Sequence, residues 1–285
     1  MCRRKDGKKL KHCDPILNMT TYIMPHRYDA QVFCKNKIKC EKIDEFIKEE
    51  GLKGNKFNYM HIIIASLVRM YAERPKMNRF VMNRKVYARK GISICFAIKK
   101  TLKEDAPETT LKIEFTGKES IYEVKEKIDK AIEENSKVSD KNDTDKMAKR
   151  LLKLPNWFLK FVMRFLIFLD NHGMLGKKLL AVSPFHTTCF LTNMKSLGAE
   201  YVYHHIYDFG TTSQFLSMGK THLEPVVDEY DNISISKILK MGMVIDERIC
   251  DGFYYSKGIK IGTKYIENPY LLTEPLEKIV EDDEI

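Results

Sequence analysis

No Cys-x-x-Cys pair occurs in the 285 residues, and the seven cysteines are an odd number at irregular spacing. That pattern speaks against a zinc site or a disulfide framework, and reduced thiols are expected. No apolar h-region follows Met1, where charges crowd instead, so the chain is expected to stay in the cytoplasm. The Asn-x-Ser/Thr sequons at Asn18, Asn142 and Asn232 then carry no weight. The apolar stretch 157–169 is too short to span a bilayer and contains Lys160 and Arg164. Gly219-Lys220-Thr221 ends like a phosphate loop, but the glycine required five residues earlier is Gln214. His204 and His205 lack a third ligand at metal spacing, and adjacent strand residues point to opposite faces, so no metal is expected.

What is present is an ordinary globular composition, 44% hydrophobic and 31% charged. The net charge of +10 suits an anionic ligand such as a phosphorylated cofactor, a nucleic acid or a membrane surface. Most of the local excess lies in the opening RRKDGKKLKH, read as a solvated tail within residues 1–20, while the chain closes on the acidic EDDEI. Elsewhere the basic residues are dispersed and no nucleic-acid motif accompanies them, so nucleic acid is not expected.

Residues 14–33 show Pro15, Pro25 and no sustained period, which predicts an extended arm becoming a strand near residues 30–38. IDEFIKEEG predicts a short helix. NYMHIIIASLVRMYAERP predicts a stronger one, capped by Asn58 and ended before Pro75, with His61 partly buried beside a local partner. NRFVMNRKVYARK predicts a hairpin turning at Asn83-Arg84, and GISICFAIKK a central strand. A further strand and an amphipathic helix follow, with Ile121, Val124, Ile128 and Ile132 at helical spacing. A polar linker is expected over 136–146. Beyond it, 157–169 reads either as a helix buried against the core or a neighbouring subunit, or as one seated on a membrane surface through its aromatic and basic residues. Two more strands flank YVYHHIYDF.

The most informative stretch is 236–258, SKILKMGMVIDERICDGFYYSKG. Its apolar run predicts a strand ending in Asp246, Glu247 and Arg248, followed by a helix for which Asp251 is the N-cap candidate. Charges at the end of a buried strand are costly unless paired or used, so this corner is either a salt-bridged joint or an active site.

MVIDERICDGFYYSKG resembles the His-x-x-x-Asp-Gly signature of chloramphenicol acetyltransferase and of dihydrolipoamide acyltransferase catalytic domains (the 2-oxoacid dehydrogenase acyltransferases). Four stretches support the resemblance in order: PHRYDAQVF, the helix and hairpin from FNYMHIII onward, CFLTNMKSLG and FLSMGK. Together they cover roughly residues 20–135 and 180–270.

The resemblance implies an α/β fold, a two-layer sandwich with a mixed β-sheet, as a single acyltransferase-like domain over 21–285 with a helical insertion around 136–180. It also implies a homotrimer whose active site lies between subunits, with coenzyme A or acyl-coenzyme A as substrate and a small-molecule acyl acceptor. A lipoyl domain is an alternative partner only in trans, because no lipoyl or subunit-binding domain and no Ala/Pro-rich linker precedes Asp14.

Carried over by residue, Asp251 takes the place of the structural aspartate, with Arg27 as its salt-bridge partner, and Gly252 completes the motif. Thr192 falls where an oxyanion-binding serine is expected, and its hydroxyl keeps the donor. The place of the catalytic histidine is held by Glu247. Free glutamate titrates roughly two units below imidazole, about 3 kcal/mol of proton-abstraction driving force, which a dry channel would have to restore. Three readings follow. Glu247 is the general base of a retuned acyltransferase; or the chain binds a thioester without transfer or serves an assembly; or His186, His204 or His205 supplies the base.

Overall fold

The computed structural model describes residues 4–99, 108–137, 150–227 and 230–285. Two sheets result. The larger runs β2-β9-β8-β7-β5-β6, from β2 (Gln31–Lys39), β5 (Ile92–Lys99), β6 (Glu108–Phe115), β7 (Cys189–Asn193), β8 (Gln214–Val227) and β9 (Ile233–Asp246). It is mixed because β7 runs parallel to both neighbours while the other pairs are antiparallel. The smaller sheet, β1-β4-β3, joins β1 (Gly7–Lys9) to the hairpin of β3 (Arg79–Met82) and β4 (Lys85–Arg89). Asn83 and Arg84 both take positive φ, 47° and 56°, the mirror-image turn that matches strand twist.

Helix α3 (Tyr59–Glu73) is apolar nearly all round and its residues 61 to 72 are buried, as expected of a helix at the centre of a core. Asn58 caps it, accepting from the His61 amide, while the His61 ring accepts in return from the Asn58 amide. The other ring nitrogen of His61 meets Asp129 on α4 (Ile121–Lys137), where Ile121, Val124 and Ile128 are buried and Ile132 is exposed. The short helix α2 (Glu41–Leu52) and α7 (Gly252–Glu267) complete the helical layer packed on the large sheet.

Two expectations for the opening residues are corrected. Residues 4–10 are not a solvated tail: β1 pairs with β4, Leu10 enters the core, and Arg4 is buried between Asp6 and Asp170. Composition registers the charges of this segment but not the carboxylates that neutralise them. Residues 15–23 are not an extended arm but helix α1 (Pro15–Ile23). Pro15 occupies its first turn, where the missing N–H costs nothing, and the Asp14 carboxylate accepts from Ile16 and Leu17 at 2.9 and 3.0 Å.

The expected linker lies, from residue 138, outside the described residues. Beyond it come α5 (Asn156–Asn171) and α6 (Lys177–Val182). Helix α5 is not buried against this chain's core: one side is half-buried, and Asp170 alone is fully buried. Its end is tied down by Arg4, which donates to the Asp170 carboxylate and carbonyl.

Candidate active site at the β9 corner

Strand β9 delivers Asp246 to the end of the sheet, opposite Gln31 of β2, with no exposed surface. A bare carboxylate there would be costly to desolvate, and two arginines answer it. Arg248 folds back across the turn, its Nε and Nη2 donating to Asp246 Oδ1 and Oδ2 at 2.8 and 2.7 Å. Its Nη1 donates to the Met24 carbonyl at the end of α1. Arg27 brings its Nε to 4.0 Å from Asp246 Oδ2 and donates from Nη1 and Nη2 to the carbonyls of Asp208 and Val81. Burial, and next the facing Asp246 and like-charged Arg248, set its titration, and the net effect is a lowered pKa. The Asp246 charge instead raises that of Arg248 against its burial.

The pairing implied for Arg27 is therefore corrected. Asp251 is exposed, and its Oδ1 accepts from the Tyr254 amide at 2.9 Å as the N-cap of α7. The turn over 247–250 carries Asp251 to the outside while Ile249 and Cys250 go into the core. Arg27 sits where β2 begins, next to the end of β9, and so meets Asp246. Gly252 follows the cap as the first residue of α7.

Glu247 is exposed, and its amide donates to the Ala30 carbonyl at 3.0 Å, fixing the backbone from which the carboxylate projects. Arg248, next in sequence, is fully engaged with Asp246 and Met24. Beside the corner stands a pair absent from the sequence reasoning: His26 Nδ1 lies 2.9 Å from Asp208 Oδ2, and the other oxygen of Asp208 accepts from the Arg27 amide at 3.0 Å. Its only sequence signal was adjacency to Arg27 in PHRYD.

Thr192 lies near the end of β7, half-buried, paired with Ser217 of β8, which pairs in turn with Gly242 of β9. Glu247 is five residues beyond Gly242 and two strands across. At about 3.3 Å per residue and about 4.8 Å per strand, that is close to 20 Å, beyond the reach of the two side chains. Within one chain Thr192 and Glu247 do not form a single site.

The sheet between them is crossed by residues 199–203. Gly219 and Gly242 make this crossing feasible: a Cβ on either would lie 2.6 Å from the backbone, at Tyr201 N or Val202 O. Ser217 Oγ bonds the amide and carbonyl of Val202, and the Lys220 amide donates to Ala199. The glycine of the Met-Gly-Lys strand is thus a packing requirement.

The other histidines are placed elsewhere. His186 is buried with both ring nitrogens used, Nδ1 at 2.7 Å from Ser183 Oγ and Nε2 at 3.0 Å from Asp170 Oδ2. Burial holds its pKa below the ordinary value despite Asp170. It borders a cavity of about 330 Å³ together with Arg89 and Lys112, and no corner residue lines that cavity. Lys112 donates to the carbonyls of Leu180 and His186, and burial, with Arg89 nearby, pushes its pKa down to about 8. His204 stacks on Phe215 and bonds the His205 carbonyl. Neither it nor His205 has a carboxylate partner among the contacts of the described residues. Among those residues, no three His, Cys, Asp or Glu side chains come together as metal ligands, and the six described cysteines are free.

No protein-family model and no curated sequence matches the chain. Solved structures do. A probable dihydrolipoamide acetyltransferase from Listeria monocytogenes 4b F2365 superposes with a TM-score of 0.54 at 16% identity, covering 91% of this chain and 94% of that one. A truncated catalytic core of the 2-oxoacid dehydrogenase multienzyme complex from Thermoplasma acidophilum gives 0.54 at 15%, covering 92% and 99%. A chloramphenicol acetyltransferase gives 0.55 at 12%, covering 92% and 98%. The chain therefore has the fold of the chloramphenicol acetyltransferase-like and dihydrolipoamide acyltransferase catalytic domains, as the resemblance implied.

Proposed function

We propose that the chain transfers an acyl group from a coenzyme A thioester to a hydroxyl, thiol or amine, with Glu247 as the general base. The observation that carries this reading is the division of charges at the corner. Asp246 is held inside the fold by Arg248 and faces Arg27, Asp251 caps α7, and Glu247 is exposed on a fixed backbone. It holds the motif position of the proton acceptor in the family that the chain resembles. In the proposed step its carboxylate takes the proton from the acceptor's O–H, S–H or N–H as the heteroatom attacks the thioester carbonyl. The tetrahedral oxyanion is held by the Thr192 hydroxyl, and collapse expels the coenzyme A thiolate.

The separation of Thr192 from Glu247 supports an assembly in which two copies complete each site, in keeping with a trimer. Proton transfer by a positioned base contributes about 10²- to 10⁴-fold. Glu247→Gln should therefore lower turnover of an acetyl-coenzyme A thioester about 100-fold or more while calorimetry finds coenzyme A affinity unchanged. Equal turnover by wild type and Glu247→Gln rejects Glu247 as the base.

The His26–Asp208 pair favours a second reading, in which a half-exposed imidazole oriented by a carboxylate at Nδ1 serves as the base at the same corner. His26→Gln then removes turnover and Glu247→Gln does not. Coenzyme A binding without turnover in any variant leaves a binding module.

A further inference from the structure

We infer that α5 is a docking face for an anionic lipid surface. Trp157, Phe161, Phe165 and Phe168 recur at spacings of four, four and three, so they form one stripe along the helix. They are 73%, 61%, 50% and 49% exposed. The Phe161 and Phe165 rings lie nearly parallel, with centroids 6.4 Å apart, and Phe158 continues the row. Lys160 and Arg164 are exposed beside the stripe.

Sixteen residues of helix measure about 24 Å, and no helix among the described residues is long and apolar enough to cross a membrane. The element fits a helix lying in the interface plane, with large aromatic side chains on one flank and basic heads near the phosphates.

Charge selects this occupant over a two-fold pairing with a second copy of the chain. From 150 to 178 there are six basic residues, Arg150, Lys153, Lys160, Arg164, Lys177 and Lys178, against one acid, Asp170. That acid is buried and already held by Arg4 and His186. In a two-fold contact the same patch meets itself, which would set Lys160 and Arg164 against their own copies with no carboxylate to separate them. A lipid surface bearing phosphatidylserine supplies the missing negative charge, and its acyl boundary takes the rings.

Trp157 is the sole tryptophan, so its fluorescence reports on this face alone. The full chain is titrated with phosphatidylcholine vesicles with and without phosphatidylserine, recording emission and flotation. The expected result is a shift to shorter wavelength and co-flotation with the anionic vesicles alone, reversed by salt. Lys160→Gln and Arg164→Gln should each weaken binding about five-fold. Phe161→Ser with Phe165→Ser should abolish binding without altering the circular-dichroism melt, since both rings are largely exposed. Absence of binding to anionic vesicles overturns the inference, as does equal binding to neutral ones. A lipid-free emission shift that grows with protein concentration also overturns it, by assigning the face to a second copy.

Discussion

Replacing Asp246 by Asn removes one negative charge from a place with no exposure and leaves Arg27 and Arg248 facing each other. The asparagine can still accept once through its carbonyl oxygen. However, its NH₂ donors would point at guanidinium donors where Oδ1 and Oδ2 now accept from Nε and Nη2. Breaking a buried ion pair by removing one partner costs about 3–5 kcal/mol. For a domain whose total stability is of order 5–15 kcal/mol, that is a large share. At about 2–4 °C per kcal/mol, the midpoint should fall by about 6–20 °C. Urea unfolding followed by circular dichroism measures this directly, with the slope unchanged if only stability is affected. Glu247→Gln serves as the control one residue away: being exposed, it should stay within about 0.5 kcal/mol of wild type. An Asp246→Asn variant as stable as wild type, or a Glu247→Gln variant equally destabilised, would refute the division of labour at the corner.

Three further outcomes follow from the same geometry. Asp251→Ala should cost about 1 kcal/mol, the loss of a helix cap; a loss of 3 kcal/mol or more in urea unfolding would restore its pairing with Arg27. Gly242→Ala should destabilise by about 1–3 kcal/mol, because the added methyl meets the Val202 carbonyl at 2.6 Å; a neutral result in the same assay would place residues 199–203 elsewhere. Acid should unfold the chain in two windows. Burial holds His61 and His186 below free imidazole, so the stability their neutral forms provide is complete above about pH 6.5 and lost as pH falls through their folded values. Against its own burial, Asp170 is held below the carboxylate range by His186 and Arg4, so its contribution is lost below about pH 4. Thermal midpoints between pH 8 and 3 that stay level across both windows would contradict this.

Much of the fold was legible because local signals and burial agree. Asn58 before an apolar run, Asn83-Arg84 between β-branched stretches, and Asp251 ahead of Phe253 each name their own structure, and each is where the chain caps or turns. The failures have one physical form, in which residues distant in sequence decide the outcome. Arg4 is solvated or buried according to whether Asp170 is there to meet it, 166 positions away. Pro15 reads as a breaker unless Asp14 is seen accepting from the amides that follow. At the corner, the family resemblance implied a pairing of Arg27 with Asp251, whereas the turn over 247–250 decides which carboxylate stays inside. His26 and Asp208, 182 positions apart, carry no mutual signal in the sequence. The aromatic stripe of α5 was visible as a pattern, but its exposure depends on what the rest of the fold leaves uncovered.

The central claim is that Glu247 accepts a proton in thioester acyl transfer. The most direct measurement is release of coenzyme A thiol from acetyl-coenzyme A, across amine, alcohol and thiol acceptors, by the wild type, Glu247→Gln and Glu247→His chains. The account predicts turnover by wild type, a loss of about 100-fold or more in Glu247→Gln, and recovery or increase in Glu247→His. Unchanged turnover in Glu247→Gln, or none by wild type with any acceptor, would contradict it.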